Sequence, residues 1–189
     1  MVVNQENIQT GGEMMKRVLK ICVASIMFLT GCLLLFVVAQ ILKAPDLSEA
    51  DASPEGYMTT ILDNNEAVVD TLYVTESNRI YVELDEIPKD LQEAFIAIED
   101  SRFYSHHGFD TKGLIRAFVH GLKNGGFTQG GSTITQQLLK NNVFTDWMEE
   151  ETFYDKVSRK VQELYLSTCL ERQHSKEWIL ENYLKSDEI

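Results

Sequence analysis

Two adjacent carboxylates, Glu99 and Asp100, follow a stretch in which apolar residues recur at helical spacing. This helix would end at Glu99, beside Phe95, Ile96 and Phe103. Apolar surroundings raise the pKa of a carboxylate, and a general base that works near neutral pH needs such a raised value. Glu99 is therefore a candidate general base. The alternative is an ordinary acidic helix end followed by a loop, which is the commoner meaning of such a pair taken alone.

Two histidines, His106 and His107, lie a few residues downstream of these carboxylates. An imidazole can move protons or bind a metal ion. Histidines in such a position more often hold a loop by hydrogen bonds, and we favour that interpretation. We therefore expect this pair to fix the loop that follows Glu99.

A second group of chemically useful residues surrounds a glycine pair, Gly130 and Gly131. Glycines allow a tight turn and the close approach of a ligand. Thr133 and Gln136 have the spacing of a capping box that opens a helix, and free N–H groups at a helix N-terminus attract phosphate. A nucleotide P-loop is excluded, because Gly131 occupies the position of its lysine and no strand clearly leads into the loop. A capped helix that merely follows a loop explains these residues equally well.

A third group, Arg159, Lys160 and Glu163, lies within about one turn of a predicted helix. Arg159 and Glu163 are four residues apart and share a face, but arginine before glutamate is the weaker order for stabilising a helix. Two cations beside a carboxylate could hold a diphosphate, while the carboxylate binds a metal ion or a sugar. A solvated charged face is the alternative for such a group in isolation.

Helices must position these groups. Apolar residues recur at helical spacing before Glu99, again between Glu99 and the glycine pair, and from about Ser132 to Lys140. Further helices are predicted from about Lys156 to Glu171 and from Lys176 onward, the last an ordinary amphipathic helix by itself. The sequence thus predicts a mainly α domain.

Three short runs rich in β-branched and aromatic residues precede these helices, at Tyr57–Leu62, Ala67–Val74 and Arg79–Leu84. Two turn-rich segments separate them, Asp63–Glu66 and Thr75–Asn78. We expect a small antiparallel β meander.

An uninterrupted apolar run, Ile21–Leu42, contains no charged residue. It matches the roughly 20 residues that a helix needs to cross a bilayer. Cations precede the run and acids follow it, which places residues 1–20 in the cytoplasm and the remainder outside. A cleaved signal peptide is the alternative, but the run is long for one and no small-residue cleavage site follows. We expect an uncleaved anchor over residues 21–42, a disordered polar tail over 1–20, and a linker over 43–56.

The chain of 189 residues carries a net charge of −12. Generic nucleic-acid binding is not expected, because it needs clustered positive charge. Of the three cysteines, Cys22 and Cys32 lie within the apolar run, so a disulfide framework is not indicated.

Four segments, taken together and in this order, resemble glycosyltransferase family 51, the glycan-polymerising domain of class A penicillin-binding proteins and of monofunctional transglycosylases. The first three motifs of that family, E-D-x-x-F-x-x-H-x-G, G-G-S-T-I-T-Q-Q and R-K-x-x-E, match Glu99–Gly108, Gly130–Gln137 and Arg159–Glu163 without a substitution. The fourth motif, K-x-x-I-L-E-x-Y-L-N, matches Lys176–Leu184 and departs at its last position, which is Lys185. The resemblance covers roughly residues 57–184. Each match is unspecific alone, whereas four in order are very specific.

The resemblance implies a mainly α, lysozyme-like lobe, here preceded by the β meander and a single transmembrane helix. It also implies a membrane-hugging subdomain between the second and third motifs, to which the aromatic stretch around Phe144 and Trp147 would contribute. Glu99 would take a proton from the 4-hydroxyl of the acceptor, lipid II, which attacks the growing glycan on undecaprenyl diphosphate with inversion. Glu163 would be the second catalytic carboxylate, working through a divalent cation such as Mg²⁺ or Mn²⁺.

The substrate-binding residues follow from the same motifs. The side chains implied to meet the diphosphate are Ser132, Gln136, Lys140, Arg159 and Lys160. The other motif residues implied to bind substrate are Asp100, Phe103, His106, Gly131, Thr133 and Gln137. The implied partners are lipid II, the diphosphate-linked glycan, the cell membrane and other cell-wall synthesis proteins.

Family members continue beyond the fourth motif with more helices, so the resemblance implies that residues 57–189 form an incomplete domain. We expect this chain to bind the diphosphate lipid but to turn it over poorly, with Ile179, Leu180 and Leu184 left unburied. Two alternatives stay open: a non-catalytic membrane-bound remnant that binds lipid II or partner proteins, and a lysozyme-like lytic transglycosylase. The cation pair Arg159 and Lys160 and the anchor favour synthesis over cleavage.

Overall fold

The computed structural model describes residues 3–47, 52–54, 57, 59–72, 82–124 and 130–186. The chain divides into two compact units, Met1–Lys43 and Ala44–Ile189. The first unit is one helix, α1, which spans Val3–Leu42. The disordered tail expected before residue 21 is therefore wrong from Val3 onward, because a helix nucleated in the apolar run gains one hydrogen bond for each residue by which it is extended. Met14–Leu42 could cross a membrane by length and composition alone, a test that a signal sequence also passes.

A two-stranded antiparallel sheet opens the second unit. Strand β1 is Thr59–Leu62 and strand β2 is Val68–Leu72, with Thr59 opposite Leu72. The Asp63 carboxylate closes the turn by accepting hydrogen bonds from the backbone N–H groups of residues 65 and 67. The third predicted strand is not observed over residues 82–84, and residues 79–81 lie outside the described part of the chain.

Five helices make up most of the described part of the second unit. They are α2 Lys89–Glu99, α3 Thr111–Asn124, α4 Ile134–Asn142, α5 Phe153–Gln173 and α6 Lys176–Ser186. Single 3-10 turns lie at Phe103–Ser105 and Thr145–Glu149. The predicted mainly α architecture with a small antiparallel sheet and one apolar N-terminal helix is confirmed.

Helix α4 forms the centre of the core, because it packs on both α5 and α6. Its apolar side chains Ile134, Leu138 and Leu139 are fully buried. The expectation that the apolar face of α6 is left unburied is wrong. Ile179 and Leu180 are 0% exposed and Leu184 is 4% exposed, since α6 packs directly on α4.

The aromatic stretch between the second and third motifs is partly buried and partly exposed. Phe144 is half-buried against the core, and Trp147 is also half-buried. The neighbouring Met148 and Phe153 are instead 76% and 83% exposed. The aromatic stretch therefore presents exposed apolar side chains, and its contact with a membrane stays a prediction.

Candidate active site

The N-terminus of α4 is held by Thr133, as the capping-box pattern predicts. Its hydroxyl accepts a hydrogen bond from the Gln136 N–H at 3.3 Å and donates one to the Gly108 carbonyl at 2.7 Å. Gly108 has φ +89°, and a Cβ there would lie 2.6 Å from the Ser167 backbone in α5. Any side chain at this position would clash, so Gly108 lets the first motif approach both helices.

A buried pair, Asp100 and His106, fixes the loop that follows Glu99. His106 Nε2 lies 2.8 Å from Asp100 Oδ2, which also accepts a hydrogen bond from the Ile134 N–H at 3.2 Å. His106 thus ties the loop to Asp100, which itself binds the backbone at the start of α4. The expectation that a histidine fixes this loop is confirmed for His106. Phe103 is fully buried beside them. Substrate contact by these three residues stays a prediction, and their burial favours a positioning role.

The candidate base Glu99 ends α2 with its side chain exposed. Its Oε2 accepts a hydrogen bond from Gln137 Nε2 at 2.9 Å. The Tyr183 hydroxyl lies 3.4 Å from Gln137 Oε1, on the other side of the amide. The expected enclosure of Glu99 by apolar groups is not observed, because α2 lies at the surface and buries none of its residues.

A cluster of charges lies at the opposite side of the site, on α5. Glu163 is 1% exposed and is bound by two cations of its own helix, Arg159 and Lys160. The Lys160 ammonium lies 2.7 Å from Glu163 Oε2, 2.7 Å from Ser132 Oγ and 3.1 Å from Gln136 Oε1. One lysine therefore joins the second motif to the third.

A second carboxylate, Glu150, also binds Arg159. Its Oε1 accepts a hydrogen bond from Arg159 Nε at 2.7 Å, and both side chains are mostly buried. Burial alone would lower the pKa of the Arg159 guanidinium, but the hydrogen bond to Glu150 and the charge of Glu163 raise that pKa above its usual value. Sequence reasoning missed Glu150, because it lies between helices in a run of three glutamates that follows no motif.

Lys140, at the other end of α4, is held in a different way. Its Nζ lies 3.9 Å from the centre of the Trp147 ring, which is the geometry of a cation–π contact. Trp147 belongs to the 3-10 turn Thr145–Glu149, directly before Glu150. This short segment therefore contacts two of the predicted phosphate-binding cations.

Glu99 lies between two pockets that share Ile98, Gly130 and Ser132 in their walls. The larger has a volume of about 370 Å³ and is also lined by residues of α4 and α5, namely Gln136, Gln137, Lys140 and Glu163. The smaller has a volume of about 210 Å³ and extends toward α3, with walls that include Asp100, Ser101, Asp110, Gly113, Arg116, Gly131 and Thr133. The two catalytic carboxylates proposed from the sequence thus line one pocket.

A third ionic contact ties the fourth motif to the first two. The Glu171 carboxylate accepts a hydrogen bond from Thr135 and lies 2.8 Å from the Lys176 ammonium. That ammonium is also 4.2 Å from the centre of the Phe103 ring. The four sequence motifs are therefore joined by direct side-chain contacts.

A model of the family described as Transglycosylase matches residues 65–188. The chain belongs to this family, glycosyltransferase family 51. It is 40% identical to penicillin-binding protein 1A/1B of Bacillus subtilis (strain 168) over 174 residues, which are 92% of this chain and 18% of that protein. It is 47% identical to penicillin-binding protein 1F of the same organism over 124 residues, 66% of this chain and 16% of that protein.

A further relative is penicillin-binding protein 1A of Clostridium novyi (strain NT), 39% identical over 152 residues, 78% of this chain and 17% of that protein. This transglycosylase-family chain thus spans less than a fifth of the length of these three curated relatives. The matched region contains all four motifs.

The divalent cation implied for Glu163 does not fit the described side chains. Both Glu163 oxygens face cations, one from Arg159 and one from Lys160, which repel a metal ion. Among the described residues, no group of three or more His, Cys, Asp or Glu side chains could hold a metal. The divalent cation stays a prediction that no step below depends on.

Proposed function

We propose that this chain carries the catalytic site of a peptidoglycan glycosyltransferase that joins lipid II to a glycan held on undecaprenyl diphosphate. Glu99 takes the proton from the 4-hydroxyl of the acceptor, and the hydroxyl oxygen attacks the anomeric carbon of the donor. The bond from that carbon to the diphosphate oxygen breaks with inversion. The proton ends on Glu99, and the diphosphate leaves as an anion that needs cations more than it needs an acid.

One observation carries the proposal: Glu99 and the cation cluster meet at a single pocket. Glu99, Lys140 and Glu163 line it, and Lys160 binds the lining residues Ser132 and Gln136 in addition to Glu163. A base and the Lys140 ammonium in the wall of one pocket, with Lys160 bound to two of its lining residues, suit a reaction that deprotonates one substrate and releases a diphosphate from the other.

The second pocket supports transfer between two substrates. Glu99 lines both pockets, so one carboxylate can reach a hydroxyl held on one side and a leaving group held on the other. We assign the larger pocket to the diphosphate-linked donor, because Lys140 and the partners of Lys160 line it. The smaller pocket is then the place for the acceptor sugar. We also place α1 in the cytoplasmic membrane, with the second unit outside.

The test is polymerisation of lipid II in detergent by the 189-residue chain and by a version extended with the C-terminal lobe of a family member, each compared with its Glu99→Gln variant. Loss of a general base is expected to lower the rate by about 10²-fold or more. The matched control is Glu93→Gln, which removes the same charge from an exposed position of the same helix and should leave the rate unchanged.

Near-normal polymer from the Glu99→Gln chain would exclude the proposed base. A wild-type chain that binds farnesyl diphosphate but makes no polymer would support the alternative of a non-catalytic lipid-binding protein. Circular dichroism of each variant separates loss of activity from loss of the fold.

A further inference from the structure

Within the proposed diphosphate site, the cations on α5 are electrically balanced before any ligand arrives, and Lys140 is the further cation at the pocket. Arg159 and Lys160 supply two positive charges, and Glu150 and Glu163 supply two negative ones, all within one contacting cluster. A diphosphate is bound best where cations are in excess. An incoming diphosphate must therefore compete with at least one of these carboxylates for the cations.

Glu163 is held firmly, because both of its oxygens are paired and it lies on the same helix as its two cations. Glu150 is held less well. It lies outside the helices, between the 3-10 turn and α5, and its Oε2 is buried without a hydrogen-bond partner among the described residues. A buried carboxylate oxygen without a hydrogen-bond partner costs free energy. The contact of Glu150 with Arg159 is therefore easier to break than the contacts of Glu163.

We propose that Glu150 is an internal competitor of the anionic ligand: its carboxylate occupies the Arg159 guanidinium in the free chain and leaves when a diphosphate binds. The inference rests on the proposed function, because it takes Arg159 and Lys160 as the diphosphate receptor. Glu150 would then set the affinity of the site for anions and the negative charge that a ligand needs in order to bind. A singly charged ligand would compete poorly with the carboxylate, whereas a diphosphate would compete well.

The segment that carries Glu150 offers a way to see its displacement. Trp147 lies three residues before Glu150 and covers Lys140 at 3.9 Å. The chain has two tryptophans, and the other, Trp178, stacks on His174 in another part of the second unit. In a Trp178→Phe background, tryptophan emission therefore reports on the segment that is expected to move.

The experiment titrates inorganic pyrophosphate and farnesyl diphosphate into the full chain in detergent, with binding measured by calorimetry. Glu150→Gln keeps the shape of the side chain and removes its charge, so we expect binding that is tighter on the order of fivefold. Glu149→Gln and Glu151→Gln are matched controls that remove the same charge from exposed neighbours, and they should change the affinity little. Lys160→Gln should weaken binding in every background.

The outcomes separate the inference from the function on which it rests. If Glu150→Gln binds diphosphate equally or more weakly while Lys160→Gln still weakens binding, Glu150 orients Arg159 instead of competing with the ligand. That result would overturn the proposal for Glu150 and leave the proposed function intact. If all three glutamate variants bind diphosphate more tightly to the same extent, the effect comes from net charge, and the proposal for Glu150 is again overturned. If Trp147 emission does not change at saturating diphosphate, the proposed displacement of Glu150 is wrong. Binding that does not depend on Lys160 would overturn both proposals.

Discussion

Arg102 and Asp110 form a bidentate ion pair at the edge of the smaller pocket. Arg102 Nε lies 2.9 Å from Asp110 Oδ2, and Arg102 Nη2 contacts the other oxygen. The hydrogen bond from Arg102 lowers the pKa of Asp110 to about 2, although burial opposes the shift. The pair connects the first motif to the start of α3, so its state of charge affects stability.

We expect Asp110→Asn to lower the free energy of unfolding by about 1 kcal/mol at pH 7, after allowing for solvent screening. The pKa of Asp110 is lower in the folded than in the unfolded chain. The stabilisation is therefore present above the ordinary carboxyl pKa and is lost as the pH falls from about 4 to about 2. Thermal unfolding at pH 7 and at pH 2 checks this.

The matched control is Asp85→Asn, an exposed acid outside the helices, which should leave the stability unchanged. A deficit of Asp110→Asn that persists undiminished at pH 2 would show that the ion pair is not its cause.

Lys160 of the third motif contacts Ser132 and Gln136 of the second, which agrees with the family resemblance because it implied one diphosphate site for all three. The contacts of Glu150 and Trp147 could not be predicted. They depend on the path of the chain between α4 and α5, which follows no periodicity. The exposure of Glu99 was also beyond the sequence, because it depends on how weakly α2 packs.

Among the elements, the start of α4 determines where the second motif lies. Thr133 caps this helix from a buried position and has two hydrogen bonds. Thr152 caps α5 from an exposed position: its hydroxyl accepts a hydrogen bond from the Asp155 N–H at 3.1 Å and donates one to the Asp155 carboxylate. The two caps are alike in type and differ in burial.

We expect Thr133→Ala to lower the free energy of unfolding by about 2 kcal/mol, because it also leaves the buried Gly108 carbonyl without this donor. Thr152→Ala is the matched comparison and should cost about 1 kcal/mol or less. Chemical denaturation in detergent measures both. Equal losses would mean that the hydrogen bond to Gly108 adds no stability.

The existence of the helices was predictable from apolar spacing, while their ends depended on local contacts. Helix α5 begins at Phe153 rather than near Lys156, because Thr152 provides the cap. The third strand was wrongly expected to include residues 82–84, since β propensity alone cannot supply a pairing partner. Helix α1 extends to Val3 for the opposite reason, because a helix once formed needs no partner to continue.

At the scale of the whole molecule, the distribution of charge bears on membrane topology. Lys16, Arg17 and Lys20 precede the apolar stretch, and acidic residues dominate after it. We expect a reporter fused after Leu84 to lie outside the cytoplasm, because short basic segments are retained inside. Protease accessibility in intact cells and in lysed cells distinguishes the two sides.

The control for topology replaces the three cations by glutamate, which should reduce the fraction of reporter found outside. A wild-type reporter protected from protease until the cells are lysed would contradict the proposed orientation. A free, soluble reporter would instead indicate cleavage of the N-terminal helix.

The three partners of Lys160 have a consequence for how such a protein can diverge. Since Ser132, Gln136 and Glu163 share one ammonium group, a substitution at any of them changes the cost of a substitution at the others. Epistasis of this kind means that a lineage abandoning catalysis would be expected to lose these positions as a group.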